Sequence, residues 1–421
     1  PMFLGNVFQQ FYNIVDSIVA GQFIGVDALA AIGSTGSLMF FVTGWLNGLS
    51  SGFAIIVAQR FGAKKYEDMR HFVAMSIYLM MGFAVAMTIG FLVFNIPILR
   101  LMNSPAELMD DVAGYMGIIY AGLLVTAAYN TLAAFLRALG DSKSPLYFLI
   151  ISAVLNVFGD LFFVVVLKAG CNGCAVSTVL SEALCCLFCV IYIQKKVPIL
   201  RLGKKWLVFD ASLLKRTIAY GWASAMQQAT VQLGKIGIQA IVNTMGVSVA
   251  AAFAVVNRID DFAYTPEQNI AHAMTALMAQ NKGAGKKDRM REGFRCGFIL
   301  EVIYGILVLI ICYVFARPLM MLFVKDEEVI GHGVIYLQLI SLMYILPGIT
   351  NALQGFFRGI GDLKVTLISS FTNMGVRVLA AAPMVFLWGF GIEALPYSYL
   401  AGWIGMLLVE APLLIKIYRK K

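Results

Sequence analysis

Long apolar stretches alternate with short polar connections along this chain. Each stretch is about 20 residues long, which is the length that an α-helix needs to cross a lipid bilayer. We therefore predict an all-α membrane fold with twelve spanning helices. The predicted ranges are 3–24, 28–58, 72–96, 112–136, 145–167, 174–194, 215–243, 247–280, 297–316, 333–357, 365–388 and 393–416. The second and eighth helices are longer than a membrane requires, so we expect both to run on into basic loops.

The composition also indicates an integral membrane protein. Apolar residues make up 60% of the 421 positions and charged residues 13%, against roughly 45–50% and 25% in soluble domains. The net charge is +9, and most of the basic residues lie in short loops between apolar stretches. This distribution is typical of residues that set the orientation of membrane helices, and it argues against nucleic-acid binding. The chain opens within an apolar stretch, so we expect its first helix to have begun further upstream.

Basic residues are distributed unequally between the two sides of the membrane. Alternate connections and the C-terminal tail carry 25 Lys and Arg residues, and the other side carries four: Arg100, Lys168, Arg317 and Lys325. The basic side is normally cytoplasmic, so both termini are expected in the cytoplasm. The most polar connection, the linker 196–213, separates two groups of six helices at 1–195 and 214–421.

The two groups of helices are related in sequence. At an offset of 221 residues, AQRFGAKKYEDMR (58–70) matches AQNKGAGKKDRMR (279–291) at 7 of 13 positions, and YNTLAAFLRALGDSKSPL (129–146) matches TNALQGFFRGIGDLKVTL (350–367) at 8 of 18. Six helices in each group give both the same orientation, so we expect two lobes related by a pseudo-two-fold axis along the membrane normal. Such lobes predict a transporter whose substrate site lies between them. Gly140 and Gly361, in equivalent turns, are expected to cap helices.

Ionisable side chains within the predicted spans are candidate functional residues, because a charge inside a membrane is costly. Asp16 lies in the first helix and Asp160 in the fifth, where Asn156 precedes it by four residues and so shares its face. Thr178 lies in the sixth helix. Two carboxylates, an amide oxygen and a hydroxyl suit a hard cation such as Na⁺. They also suit a proton, since two neighbouring carboxylates at low dielectric do not both stay charged.

The repeat provides an internal comparison for these acids. At the 221-residue offset, Gly237 stands in place of Asp16 and Ala381 in place of Asp160. The second half thus keeps the scaffold without the acids, which favours a cation site in the first lobe only. The alternative is that both aspartates are neutral, hydrogen-bonded packing residues.

Charges of both signs occupy the predicted spans of the second half, so mutual ion pairing competes there with a role in binding substrate. These charges are Lys235, Arg258, Asp260, Asp261, Glu267, Glu301 and Arg377. Polar residues of both halves are expected in a substrate cavity. The cavity candidates are Gln9, Asn13, Glu182, Gln227, Gln228, Gln232, Lys235 and Arg377.

No pattern in the sequence predicts an enzyme. There is no Walker, GxSxG or HExxH motif, and the three histidines are scattered. Asp260 and Asp261 are the only adjacent acids within a span, and Arg258 beside them favours an ion pair over catalysis. We therefore expect no enzyme activity and no cofactor. Cys171 and Cys174 are either a disulfide or a pair of free thiols.

The chain resembles the multidrug and toxic compound extrusion (MATE) transporters over its whole length. The resemblance rests on QQFYNIVDSIVAGQFIG (9–25), on the AQxxGA motifs at 58–63 and 279–284, and on the two six-helix lobes. It implies export of cationic and amphipathic compounds in exchange for Na⁺ or H⁺, by alternating access of two lobes around a central cavity.

The resemblance also extends to the residues of the cation site. The DinF-like branch of the family uses an Asp on the first helix, an Asn and an Asp on the fifth and a Thr on the sixth, which Asp16, Asn156, Asp160 and Thr178 match. The NorM-like branch instead has acids on helices seven and ten, and the ranges 215–243 and 333–357 contain none here. The chain is thus similar to the DinF-like or MepA-like branch.

The expected function is secondary-active multidrug efflux across a bacterial inner (plasma) membrane, with organic cations as partners and the protein acting as a monomer. A flippase for lipid-linked sugars, from the same superfamily, is the alternative. It would need a cationic cavity, which Lys235, Arg258 and Arg377 leave open. Nothing in the sequence resembles the selectivity filter of a channel.

Overall fold

The structure is a computed structural model, and it describes residues 3–5, 7–8, 18–19, 26–101 and 109–419. The described residues of the predicted first helix are helical. From residue 26 onward the helices are α1 (Val26–Gly62), α2 (Tyr66–Val93), α3 (Asn95–Leu101), α4 (Met109–Ala138), α5 (Lys143–Asp160), α6 (Gly170–Lys196), α7 (Ala211–Val242), α8 (Val247–Gly283), α9 (Lys287–Val314), α10 (Ala316–Met321), α11 (Glu327–Ser341), α12 (Ile345–Gly359), α13 (Leu363–Phe386) and α14 (Ala394–Arg419). A π-helix, Leu161–Val166, continues α5.

Most of these helices have the length and apolarity of membrane spans. Within the described residues, eight helices pass this test, and α11 and α12, which are bent by 51° at the break between them, pass it only as a pair. The predicted spans 215–243 and 247–280 correspond to α7 and α8, which carry polar and charged side chains and are not among the eight. The all-α, multi-pass architecture predicted from the sequence is confirmed.

Three predicted helices differ from the structure. The span 333–357 is broken between Ser341 and Ile345, just before Pro347, whose missing N–H disfavours a continuous helix. The span 145–167 ends as a π-helix. The helix predicted at 297–316 begins ten residues earlier, at Lys287. Its first ten residues are polar, so the apolar pattern used for the prediction did not include them.

The internal repeat is visible in the helix boundaries. Helices α1 and α8 contain 37 residues each, and both their first and their last residues are 221 positions apart. The turns that follow α4 and α12 contain Gly140 at φ +96° and Gly361 at φ +76°. This left-handed conformation favours glycine, which confirms the predicted helix caps.

The turn between α4 and α5 is organised by Asp141. Its carboxylate accepts hydrogen bonds from the Ser144 backbone N–H at 3.0 Å, the Ser144 hydroxyl at 2.6 Å and the Tyr192 hydroxyl at 2.9 Å. Burial alone would raise the pKa of Asp141, but these bonds outweigh it and lower that pKa below its ordinary value. The turn is thereby tied to α6, which carries Tyr192.

The chain forms two compact units, Pro1–Ala225 and Met226–Lys421. The division between them lies within α7, beyond the linker 196–213. All seven cysteines are free thiols, Cys171 and Cys174 included.

The linker is fastened to α2 within the first unit. Arg70 donates from Nε to the carbonyl of Ile199 at 3.0 Å and from Nη2 to the carbonyl of Pro198 at 3.1 Å. Its guanidinium carbon lies 4.4 Å from the centre of the Trp206 ring. Trp206 in turn donates from Nε1 to Glu67 at 2.5 Å. Arg70 of α2 thus contacts both the first turn of the linker and the indole ring of Trp206.

Candidate functional site

The predicted cation ligands on α5 lie where that helix packs on α6. Asn156 is 2% exposed and Asp160 is fully buried. Between them, Gly159 allows the two helices to approach closely, because a Cβ at this position would lie 2.4 Å from Ser177 Oγ. The sequence therefore places a carboxylate at a tightly packed helix interface, where water has little access.

Asn156 makes two hydrogen bonds with α6 and keeps one polar atom without a partner. Its Nδ2 donates to Ser177 Oγ at 3.3 Å, and the Ser177 hydroxyl donates to the Asn156 backbone carbonyl at 2.8 Å. The first of these bonds orients the side-chain amide, and the second positions the Ser177 hydroxyl that accepts it. Asn156 Oδ1 is buried and has no hydrogen-bond partner among the described residues. Buried polar atoms are normally satisfied, so this oxygen is a candidate ligand atom.

Thr178 follows Ser177 on α6 and is half-buried. Its hydroxyl donates to the Cys174 carbonyl at 3.0 Å. A hydroxyl that donates in this way can still use its oxygen as an acceptor or a metal ligand. Ser177, which the sequence prediction missed, instead orients Asn156.

The backbone changes its helical form directly after Asp160. Leu161–Val166 is π-helical, and the Leu167 N–H donates to the Phe162 carbonyl, five residues back, at 3.0 Å. Short π-helical segments inside α-helices occur frequently at functional sites. No hydrophobicity pattern distinguishes this segment from the apolar α-helix that we predicted.

The structure brings together only part of the predicted cation site. Asn156 and Asp160 share one face of α5, and Thr178 belongs to the helix on which that face packs. Asp16, Gln9 and Asn13 lie outside the described residues. Within the described chain, no three His, Cys, Asp or Glu side chains are grouped to hold a metal ion. The complete four-residue site stays a prediction.

Glu182, a predicted cavity residue, lies one turn after Thr178 on α6 and is half-buried. It accepts a hydrogen bond from the hydroxyl of Thr126 on α4. Its carboxyl group therefore has a partner inside the first unit.

Gln227, the first cavity candidate of the second unit, belongs to a buried polar network. Its Nε2 donates to Gln354 Oε1 at 2.6 Å and to Ser370 Oγ at 3.2 Å. Gln354 donates to Ser369 Oγ at 2.7 Å and to the carboxylate of Glu410. This network joins α7, α12, α13 and α14. Among the other candidates on α7, Gln228 is exposed and Gln232 is half-buried.

The two cationic cavity candidates have different surroundings. Lys235 Nζ lies 3.5 Å from the Asp261 carboxylate, and both side chains are more than half exposed. The Arg377 guanidinium carbon lies 4.2 Å from the Tyr399 ring centre and 5.0 Å from that of Trp403. Lys235 thus carries its own counter-ion, which leaves less positive charge for the phosphate that a flippase would bind.

Four acids of the second unit are buried without an ion pair among the described residues: Asp260, Glu267, Glu301 and Glu410. Glu267 is 1% exposed and accepts from Asn351 Nδ2 at 3.4 Å. Glu301 is fully buried, and neither of its carboxylate oxygens has a hydrogen-bond partner in the described part of the chain. The residue equivalent to Glu301 in the first repeat is Met80, also fully buried. The fold therefore does not require an acid at this position.

Comparison with known proteins identifies relatives along almost the whole chain. The MatE family model matches residues 1–162 and 223–382. The chain is 31% identical over 393 residues to a probable multidrug resistance protein, YoeA, of Bacillus subtilis, covering 90% of this chain and 84% of that relative. It is 23% identical over 410 residues to the probable multidrug resistance protein NorM of Thermotoga maritima, covering 96% and 86%.

Solved structures show the same fold. A MATE crystal structure in the bent conformation superimposes with a TM-score of 0.93 at 20% identity, over 100% of this chain and 94% of that one. An outward-facing multidrug resistance MATE transporter superimposes with a TM-score of 0.91 at 21% identity, over 100% and 95%. With the family match and the similarity to YoeA, the fold leaves one conclusion: this chain belongs to the MATE family of multidrug efflux transporters, a family of membrane transporters and not of enzymes.

Proposed function

We propose that the chain is a secondary-active antiporter that exports cationic and amphipathic compounds in exchange for Na⁺ or H⁺ by alternating access. One observation carries the proposal. Asp160 is fully buried within a membrane lobe, four residues from an asparagine whose buried Oδ1 has no hydrogen-bond partner among the described residues. A carboxylate and an amide oxygen at such a place suit a transported cation.

In this proposal the cation is a co-substrate, and Asp160 supplies the charge that selects it. Burying a charged carboxylate is strongly disfavoured unless its charge is compensated. Either Na⁺ or a proton neutralises it. Asn156 then contributes Oδ1 as a neutral ligand, held in position by Ser177. Asp16 and Thr178 complete the proposed site, as expected from the resemblance to the DinF-like branch.

Coupling requires that cation and drug favour different conformations of the transporter. A ligand shifts a conformational equilibrium only by its difference in affinity for the two states. The π-helix that begins after Asp160 is the proposed element of local change. Cation binding beside it would favour the state with low drug affinity, and drug binding from the inside would favour cation release.

The proposal is tested by efflux of ethidium, an organic cation, from proteoliposomes containing the purified chain. Na⁺ and pH gradients are imposed separately, so the gradient that drives efflux identifies the coupling ion. Asp160→Asn removes the charge and should abolish gradient-driven efflux. Ser152→Ala is the matched control, because Ser152 is buried on the same helix and bonds the Ser181 carbonyl at 2.8 Å, one turn before the site begins. Wild-type efflux by Asp160→Asn would refute the site.

Asn156→Ala separates ligand binding from charge. Loss of one neutral ligand should raise the cation concentration needed for half-maximal efflux about tenfold, which corresponds to about 1.4 kcal/mol. The maximal rate should change less than the half-saturating concentration. An unchanged half-saturating concentration would remove Asn156 from the proposed set.

We further propose that the protein lies in the bacterial inner membrane as a monomer with both termini in the cytoplasm, its lobes being 1–195 and 214–421 joined by the linker 196–213. The unequal distribution of basic residues supports this orientation. A cysteine placed in the linker by Ser212→Cys, in a variant without the native cysteines, should react with an impermeant maleimide only after the cells are permeabilised. Labelling of intact cells would reverse the orientation.

A further inference from the structure

A groove in the second unit lies between the first turns of α9 and the last turns of α14. Its volume is about 460 Å³. Its walls are largely apolar and include Phe294, Leu414 and Tyr418. Both helix ends belong to the side of the membrane that collects the basic residues of the chain. The groove is therefore at a membrane interface.

Three arginines line this groove: Arg291, Arg295 and Arg419. None of them forms an ion pair or a hydrogen bond with a described residue. Arg291 lies with its guanidinium carbon 5.8 Å from the centre of the Tyr418 ring, which orients it along the apolar wall. An apolar groove with three positive charges has the features of a site for an amphipathic anion.

The first repeat shows what the equivalent position can hold. Arg70 corresponds to Arg291 at the 221-residue offset. The linker contacts Arg70: two linker carbonyls accept its hydrogen bonds, and the Trp206 ring lies against its guanidinium group. The counterparts of Arg295 and Arg419 are Ala74 and Pro198. Arg70 also forms an ion pair with Glu67 at 3.8 Å. The first repeat thus has one arginine, whose partners are two carbonyls, an indole and a carboxylate, whereas the second has three arginines in its groove.

We propose that the groove binds an anionic phospholipid, with its phosphate at the three arginines and an acyl chain along Phe294 and Leu414. Guanidinium groups bind phosphate oxygens with paired, charge-assisted hydrogen bonds. Three arginines require more negative charge than carbonyl oxygens provide. Anionic lipids are concentrated at the cytoplasmic surface, and basic clusters beside membrane helices bind them. The apolar wall explains why the ligand is a lipid and not a free anion.

The test measures lipid binding by the delipidated full chain with native mass spectrometry, using phosphatidylglycerol and, separately, phosphatidylcholine. The double variant Arg295→Ala, Arg419→Ala leaves the Arg291–Tyr418 contact in place. It should weaken phosphatidylglycerol binding about 30-fold, since one basic residue near an anionic surface contributes a factor of roughly five. Phosphatidylcholine binding should stay the same. The double variant Lys287→Ala, Arg289→Ala is the matched control, because it removes the same charge from two exposed residues of the same helix that do not line the groove.

Each contrary outcome overturns the proposal in a different way. Equal losses in the two double variants would mean that lipid binding responds only to overall surface charge. Equal losses for both lipids would mean that the variant has disturbed the helix ends. If inorganic phosphate competes fully with phosphatidylglycerol at equal concentration, the site binds a free anion instead. Lipid binding is measured without transport, so the result is independent of the proposed antiport.

Discussion

Replacing Gly159 by alanine tests the packing that positions the candidate cation site. The added Cβ would lie 2.4 Å from Ser177 Oγ, far inside a non-bonded contact of roughly 3.5 Å. Ser177 cannot rotate away freely, because its hydroxyl bonds both the side chain and the backbone carbonyl of Asn156. Either the two helices separate or these hydrogen bonds break.

The expected loss of stability follows from three contributions. Overpacking costs about 1–3 kcal/mol, and a lost hydrogen bond costs about 0.5–1.5 kcal/mol. Alanine is favoured over glycine within a helix by about 0.8–1.0 kcal/mol, which opposes the loss. The free energy of unfolding should therefore fall by about 0.5–4 kcal/mol. Gly82→Ala, on α2, keeps the helix-propensity gain without the clash, since no atom lies within 4 Å of its added Cβ.

Unfolding by SDS in mixed micelles measures these differences for Gly159→Ala, Ser177→Ala and the double variant. Removing the Ser177 hydroxyl relieves the clash. The loss of unfolding free energy in the double variant should therefore be smaller, by at least about 1 kcal/mol, than the sum of the losses in the two single variants. A Gly159→Ala protein as stable as Gly82→Ala would refute the close approach of α5 and α6. Strict additivity would show that Ser177 is not the obstacle.

Three further predictions concern the linker, the α4–α5 turn and the second unit. Trp206→Ala removes a cation–π contact of about 0.5–1 kcal/mol, so trypsin should cleave the linker about 2–5 times faster; an unchanged rate would show that the indole does not fasten it. Asp141→Asn should destabilise the protein at neutral pH and progressively less in acid. The pKa of Asp141 is lower in the folded state than its unfolded-state value of about 3.9, so the ionised group stabilises the fold above that pH. This stabilisation is lost as the pH falls through the folded-state pKa. An equal deficit in urea or SDS unfolding at pH 7 and at low pH would contradict this. Glu301→Met should raise the free energy of unfolding, since an unsatisfied buried polar group costs about 1–3 kcal/mol; a loss instead would reveal a favourable partner for the carboxylate.

Several features of the site could not be predicted because they depend on which helices pack together. Asp160 and Asn156 were identified by their polarity within an apolar span. Gly159 gave no such signal, since a single glycine in a span has many explanations, and Ser177 is one of many serines in the helices. Their roles depend on the α5–α6 contact. The break before Pro347 had a local cause in the sequence, but apolarity alone predicted one continuous helix.

The sequence alone determined the membrane setting, the all-α class and the repeat. The first two follow from the length of the apolar stretches, and the repeat follows from identical residues at a constant offset, so none of them depends on which helices pack together. It also marked Asp160, since a charge within an apolar span stands out against its neighbours. The tertiary structure decided which polar atoms find partners. Lys235 meets Asp261, Gln227 joins a network with Gln354, and Asn156 Oδ1 is left without a hydrogen bond in the described chain. Whether a buried polar atom has a hydrogen-bond partner depends on residues that are distant in sequence, so only the packing of the helices can determine it.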